Sequence, residues 1–179
     1  MKRIATALRN KIEVCMMCKT IKHKRNIVIG RGDETKAKYL FIGEAPGHSE
    51  DLLKEAFIGP SGQLLNEIIE RSQIDLKDCY FTNTIFCRPV DERSGLDREP
   101  MKSEVIQCMP FVKKIINIVC PECVVFVGKF SEKVYKKYFK EKGIKTVTII
   151  HPAAILRSGK ESMVQYNMVL LRRIKNEGN

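Results

Sequence analysis

Short apolar runs alternate with longer amphipathic ones along this chain. Tyr39 to Ile42 is a brief apolar run that stops at Gly43 and reads as a buried strand. Tyr80 to Phe86 is rich in β-formers and reads as a second strand, ending at Cys87-Arg88-Pro89. Val124 to Gly128 is almost wholly apolar and predicts a central strand covered on both faces. Thr146 to Ile150 gives a fourth, running directly into His151-Pro152. Between these runs apolar residues recur at helical spacing. Residues 2–12 place Ile4, Leu8 and Ile12 on one face, and from Ser61, read as an N-cap, Leu64, Leu65, Ile68 and Ile69 form a stripe. A helix is predicted from about Ser103 to Val119, kinked or split at Pro110. Two more are predicted over 131–142 and 160–176. Gly30-Arg31-Gly32-Asp33 reads as a turn, and the polar residues 90–101 form the longest irregular stretch. Strands alternating with helices over short connections predict an α/β fold. The expected form is a three-layer α/β/α sandwich around a central four-stranded parallel sheet. One domain over 1–179 is expected, with an N-terminal C-x-x-C segment over about 1–30.

The totals narrow the function classes. With 179 residues, 44% hydrophobic and 30% charged, the chain suits a soluble globular domain. No apolar run approaches the roughly 18 residues a membrane span requires. The basic start lacks the apolar core of a signal peptide, so an intracellular, cytoplasmic or nucleoid setting is expected. The formal charge of +11 favours a polyanionic partner, because each neutralised phosphate releases counterions. A basic surface kept only for solubility is the bland alternative. Seven cysteines, an odd number without an export signal, argue for ligation or catalysis rather than disulfides.

Two features carry candidate chemistry. The first is the stretch from Gly43 to Asp51, a loop with two glycines, Pro46 and the carboxylates Glu44, Glu50 and Asp51, leading to Gly59-Pro60-Ser61-Gly62. Backbone can approach a ligand closely here. It is not a P-loop, since no Lys-Ser or Lys-Thr follows at the right place. Phe57 beyond it has an ordinary reading as a buried aromatic. Asn83 sits inside a strand, where asparagine is disfavoured and its amide can read a base edge. His151 follows a strand directly, at the end that faces the ligand crevice of an open α/β sheet. The second feature is the cysteines. Cys15 and Cys18 can bind one metal or cluster from a single turn. Their partners could be Cys87 and Cys108, or the second C-x-x-C pair, Cys120 and Cys123. Spacing alone does not choose. The lysine-rich helix after Gly128 reads as a solvated face over a core stripe of Phe130, Val134 and Tyr138. The basic run 19–25 is the better phosphate contact.

Gly43-Glu44-Ala45-Pro46-Gly47 with Glu50-Asp51, then Phe57-Ile58-Gly59 and Ser61-Gly62-Gln63-Leu64-Leu65, resembles the first motif of family 4 uracil-DNA glycosylases. Thr82-Asn83-Thr84-Ile85-Phe86-Cys87-Arg88-Pro89 resembles their second motif, and His151 to Arg157 their last. The resemblance runs from Cys15 to about Arg157. It implies a [4Fe-4S] cluster on Cys15, Cys18, Cys87 and Cys108, with Cys79, Cys120 and Cys123 as structural thiols. It implies excision of uracil from DNA after base flipping. Ala45, Gly47, Glu50, Phe57 and Asn83 would then face the base. Phe57 would stack on it, Asn83 would pair with its polar edge, and Glu50 would stand where thymine's methyl has to fit. His151 would donate to uracil O2 as the glycosidic bond breaks. Glu44 would position water or support the cation-like sugar, because Ala45 occupies the place of the aspartate used in other families. Ser61, Arg88, Leu156 and Arg157 would contact DNA, Leu156 and Arg157 as the wedge. No lysine is placed as a nucleophile, so a monofunctional reaction is expected, by a monomer with a replication or repair protein as an additional partner. The sequence departs from the family where Phe86 replaces a lysine and Glu92-Arg93 an Asn-Arg, with extra residues to Pro100. A catalytically weak relative that binds DNA or a replication protein, and a zinc- or nucleotide-binding module, are the competing readings.

Overall fold

A computed structural model describes residues 6–22, 25–139 and 143–177. The strands are β1 (Arg31–Gly32), β2 (Tyr39–Gly43), β3 (Cys79–Asn83), β4 (Cys123–Val127) and β5 (Lys145–Ile149). The helices are α1 (Thr6–Glu13), α2 (His48–Leu53), α3 (Pro60–Arg71), α4 (Lys102–Val119), α5 (Lys129–Tyr138), α6 (Pro152–Ser158) and α7 (Glu161–Asn176). The sheet order is β1-β3-β2-β4-β5, with β2, β3, β4 and β5 mutually parallel and β1 antiparallel on the edge. The expected four-stranded parallel sheet is present.

Alternation along the strands divides the core into two layers. Leu40, Ile42, Tyr80, Val124 and Phe126 pack on one face beside Leu8 and Ile12 of α1, Val112 and Ile115 of α4 and Tyr135 of α5. Tyr39, Phe41, Phe81, Val125 and Val127 pack on the other, against Leu65 and Ile68 of α3 and Met168 and Leu171 of α7. Every residue of β2, β3 and β4 is buried, as a sheet covered on both faces requires. Phe130, Val134 and Tyr138 of α5 pack on the first layer, so the core-stripe reading of that helix holds.

Several local expectations need correction, the first being the second strand, which was read to Phe86 but ends at Asn83. Arg31–Gly32 is an edge strand paired with Phe81 and Tyr80, not a plain turn. A Cβ at Gly30 would lie 2.6 Å from Phe81 O, so glycine lets the backbone lie flat there. Helix α3 starts at Pro60 with Gly59 as its N-cap, and Ser61 is inside the first turn. Helix α4 is continuous through Pro110, whose exposed position leaves the unpaired Ile106 carbonyl to water. Helix α2 arises in a stretch read as a loop, and α6 in one to which no element was assigned. Ile4, His23, Lys24 and residues 140–142 lie outside the described residues.

The irregular stretch 90–101 is tied down by one buried carboxylate. Glu104 is 1% exposed and accepts from Arg98 Nη2 at 2.6 Å, Thr20 Oγ1 at 2.6 Å and the Met101 N–H at 2.8 Å. Burial works against its charge, but the Arg98, Thr20 and Met101 hydrogen bonds outweigh that and hold the carboxyl below its ordinary range. Removing one partner of such a pair strands the other. Glu104→Ala is therefore expected to destabilise the fold by about 3 kcal/mol, read as a lower denaturant midpoint at unchanged slope. An unchanged midpoint would mean that the pair contributes nothing net.

Candidate active site

The carboxyl ends of the parallel strands meet at one open cleft of about 450 Å³. Its wall carries Glu44, Ala45, Gly47 and Glu50 from the segment after β2, Phe57 and Ser61 from the loop and first turn of α3, Asn83 from the end of β3, and His151 and Arg157 from α6. Phe57, Asn83 and His151, far apart in sequence, are thus brought together. The register explains part of this. Gly43 pairs with Asn83 across β2 and β3, and Val127 with Ile149 across β4 and β5, so these strand ends stand level.

Each group has an identifiable support. Asn83 is 3% exposed and lines the cleft, where its amide can both donate to and accept from a ligand. Gly43 makes room for it: a Cβ there would overlap Asn83 Oδ1 and lie 2.6 Å from Phe57 Cζ. Phe57 has φ +56°, a left-handed conformation uncommon for a bulky residue. Gly62, whose Cβ would overlap the Phe57 carbonyl, permits that turn. Glu50 fixes the same loop, its Oε1 accepting the N–H groups of Ile58 (3.1 Å) and Gly59 (2.8 Å). Buried Asp51 accepts from the N–H groups of Arg25 and Asn26, pinning the N-terminal segment beside the cleft.

His151 caps α6. Its Nδ1 accepts the Ala153 N–H at 3.1 Å, so the proton of the neutral ring resides on Nε2, which becomes a donor. Burial and then the Arg157 charge push this imidazole below the usual histidine range, keeping it neutral at pH 7. Its position is set by a residue that sequence reading missed. Asn167 of α7, fully buried, accepts the Ile150 N–H at 2.8 Å and donates to the Ile150 carbonyl at 2.9 Å. An asparagine within an amphipathic helix gives no sequence signal beyond a polar position. Gly128 lets the α5 start approach His151 closely, at φ +94°. Glu44 is half-buried, and burial followed by the Glu99 charge raises its carboxyl above the ordinary range.

The cysteines separate clearly. Cys15, Cys18, Cys87 and Cys108 line one small cavity with Ile12, Ile27, Phe86 and Phe111. Cys123 is buried in β4 in the other layer and Cys79 in β3, where burial pushes the Cys123 thiol up to about 11. Cys120 is exposed in a left-handed C-cap. The two C-x-x-C pairs therefore do not share a site. Among the described residues no three His, Cys, Asp or Glu side chains close into a group that could hold a metal ion as they stand. The four thiols surround a cavity within an apolar shell. That donor set suits an iron–sulfur cluster.

The sequence profile of the uracil DNA glycosylase superfamily matches residues 29–171. A Type-4 uracil-DNA glycosylase of Archaeoglobus fulgidus is 34% identical over 161 residues, covering 79% of this chain and 78% of that protein. The chain belongs to the type-4 uracil-DNA glycosylase family. The relative of the same name from Sulfurisphaera tokodaii is 31% identical over 169 residues, 83% of this chain and 74% of its own. That of Pyrobaculum aerophilum is 36% identical over 122 residues, 68% of this chain and 59% of its own. A candidate uracil DNA glycosylase of Methanosarcina acetivorans, solved by NMR, shares the fold. Its TM-score is 0.53 at 12% identity, over 83% of this chain and 99% of that one.

Within this type-4 glycosylase the residues expected to contact DNA have mixed placements. Leu156 is 50% exposed on α6 and Arg157 lines the cleft, an arrangement open to a partner. Ser61 lines it too. Arg88 is committed within the chain, its Nε to Asp97 at 2.5 Å and its Nη1 to His48 Nδ1 at 3.0 Å. Lys22 of the basic run meets Glu92 at 3.0 Å on the surface. The stretch 90–101 thus folds back over the cleft rim, where Asp97 and Arg98 lie. Lys129 also lines the cleft, although the sequence pattern assigned its helix to a solvated face. No helix among the described residues is long and apolar enough to cross a membrane.

Proposed function

We propose that this chain is a monofunctional uracil-DNA glycosylase, flipping uracil out of DNA and hydrolysing its N-glycosidic bond to leave an abasic site. The observation that carries this is the convergence of Phe57, Asn83 and His151 on one cleft. Flipping costs a few kcal/mol, offset by stacking on Phe57 and by the Asn83 amide, which can donate and accept along the uracil edge. As the bond breaks, negative charge grows on the base. The neutral His151, with its proton on Nε2, donates to the uracil O2 and so binds the transition state better than the ground state. Glu44, as a carboxylate, supports the cation-like sugar and the incoming water. Glu50 shapes the slot against a thymine methyl by holding the loop before α3. Ala45 and Gly47 face the base, while Ser61, Leu156 and Arg157 meet the strand. Arg88 acts from its bond to Asp97. The protein works as a monomer inside the cell, with a replication or repair protein as a further partner.

Cys15, Cys18, Cys87 and Cys108 would hold a [4Fe-4S] cluster whose contribution is to tie the N-terminal segment to the loop after β3. No reaction step passes through it. Burial and the Glu99 charge raise Glu44, so as pH falls the carboxylate is lost above its ordinary range. The acid limb of the single-turnover rate should accordingly lie above the ordinary glutamate pKa of about 4.3. Glu99→Gln should move that limb to lower pH, and an unmoved limb would separate it from Glu44.

The test is alkaline strand cleavage after incubation with oligonucleotides carrying uracil, thymine or hypoxanthine, using anaerobically purified protein with its iron counted. Cleavage at uracil and not thymine, with about four irons per chain, is expected. Cleavage at none, by iron-loaded protein, would leave the DNA-binding relative as the better reading.

A further inference from the structure

A second groove of about 340 Å³ adjoins the base cleft and shares His151, Gly128 and Lys129 with it. Its remaining wall comes from the end of β5, through Thr148 and Ile150, and from Glu132 and Tyr166. Its size falls in the range of small-ligand sites. Tyr166 presents a ring that is 53% exposed on α7. The α7 backbone that carries it is anchored beside β5, because the neighbouring Asn167 grips both backbone groups of Ile150. Glu132 is the feature that opposes a nucleic acid here. Its carboxylate is compensated by Lys136 Nζ at 2.6 Å and by the Thr148 hydroxyl. Lys129 stands at the rim common to both spaces.

Because the two spaces share Gly128, Lys129 and His151, a nucleotide next to a uracil in the cleft can reach the groove over that common rim. We propose that the groove takes an unpaired nucleobase adjacent to the flipped uracil, stacked on Tyr166 with its phosphate near Lys129. The enzyme thereby favours single-stranded DNA. This rests on the glycosylase reading above. Aromatic rings of this kind hold bases without sequence preference, through a π-face that every base offers. In a duplex the neighbouring base stays paired and stacked, and the ring finds nothing to cover.

Affinity is the readout, measured by fluorescence anisotropy on oligonucleotides carrying 2′-fluoro-deoxyuridine, whose electron-withdrawing fluorine slows glycosidic cleavage. Tyr166→Ala should weaken single-strand binding at least about fivefold, and Tyr166→Phe less than about twofold. Duplex affinity should be unchanged in both. Replacing the flanking nucleotides by abasic spacers should reproduce the loss in the unaltered protein and add nothing in Tyr166→Ala. Equal single-strand affinity for Tyr166→Ala and the unaltered protein, or equal losses on single strand and duplex, would overturn the proposal. Uracil excision is scored separately. Its absence would end the glycosylase reading, whereas the groove is judged on affinity alone.

Discussion

Replacing His151 with alanine is expected to slow single-turnover excision of uracil by roughly 100- to 1,000-fold. DNA affinity should stay close to that of the unaltered protein, because the lost interaction strengthens only as charge develops on the leaving base. The side chain has two jobs that the variant separates. It caps α6 through Nδ1 and the Ala153 N–H. It also presents Nε2 to the cleft as a donor. Loss of the cap alone costs about 1 kcal/mol of stability and leaves the donor question untouched. His151→Asn tests the difference, since asparagine is a good N-cap but has a shorter reach. That variant should recover the thermal midpoint without recovering the rate. A His151→Ala protein that excises uracil at the original rate would remove the imidazole from the mechanism.

Gly43→Ala should produce a comparable loss with the fold retained. The added methyl would overlap the Asn83 amide oxygen and stand 2.6 Å from the tip of the Phe57 ring. Both groups are buried, Asn83 at 3% and Phe57 at 7% exposure, so neither can move without displacing the wall of the slot. Displacing reacting or binding groups by an ångström costs roughly 100-fold in rate. The backbone of β2 is held between β3 and β4 along its length, which keeps the strand itself in place. The check is excision rate together with the far-ultraviolet dichroism spectrum. Full activity in a folded Gly43→Ala protein would mean that the slot is not where Asn83 and Phe57 meet.

The main strands were legible because β2 and β4 are short apolar runs and β3 and β5 are short stretches of aromatic and β-branched residues. The edge strand Arg31–Gly32 was not, since two residues carry no period and glycine signals a turn. Helix α2 was missed for a related reason. Leu52 and Leu53, its only large apolar residues, stay exposed, so no stripe marks it. Pro60 before Ser61 was a usable sign that α3 begins a residue earlier. Two cleft residues were readable as oddities, an asparagine in a strand and a histidine directly after one, whereas Phe57 looked like an ordinary buried aromatic and took its role from the family resemblance. What sequence could not give was their support. Asn167, Gly62 and the Arg88–Asp97 contact act through the tertiary fold, across separations that no local pattern encodes. The cysteine partners were open by spacing and chosen only by the family resemblance; the fold brings Cys87, after β3, and Cys108, in α4, to the cavity of the N-terminal pair.

Mass spectrometry of the DNA after a single turnover tests the central claim most directly. The account predicts stoichiometric free uracil and an unbroken strand bearing an abasic site, with oxygen from labelled water at the sugar C1′, and scission only when alkali is added. A uracil-containing strand left intact by iron-loaded protein would contradict it, as would a strand already broken before alkali, the mark of a lyase step.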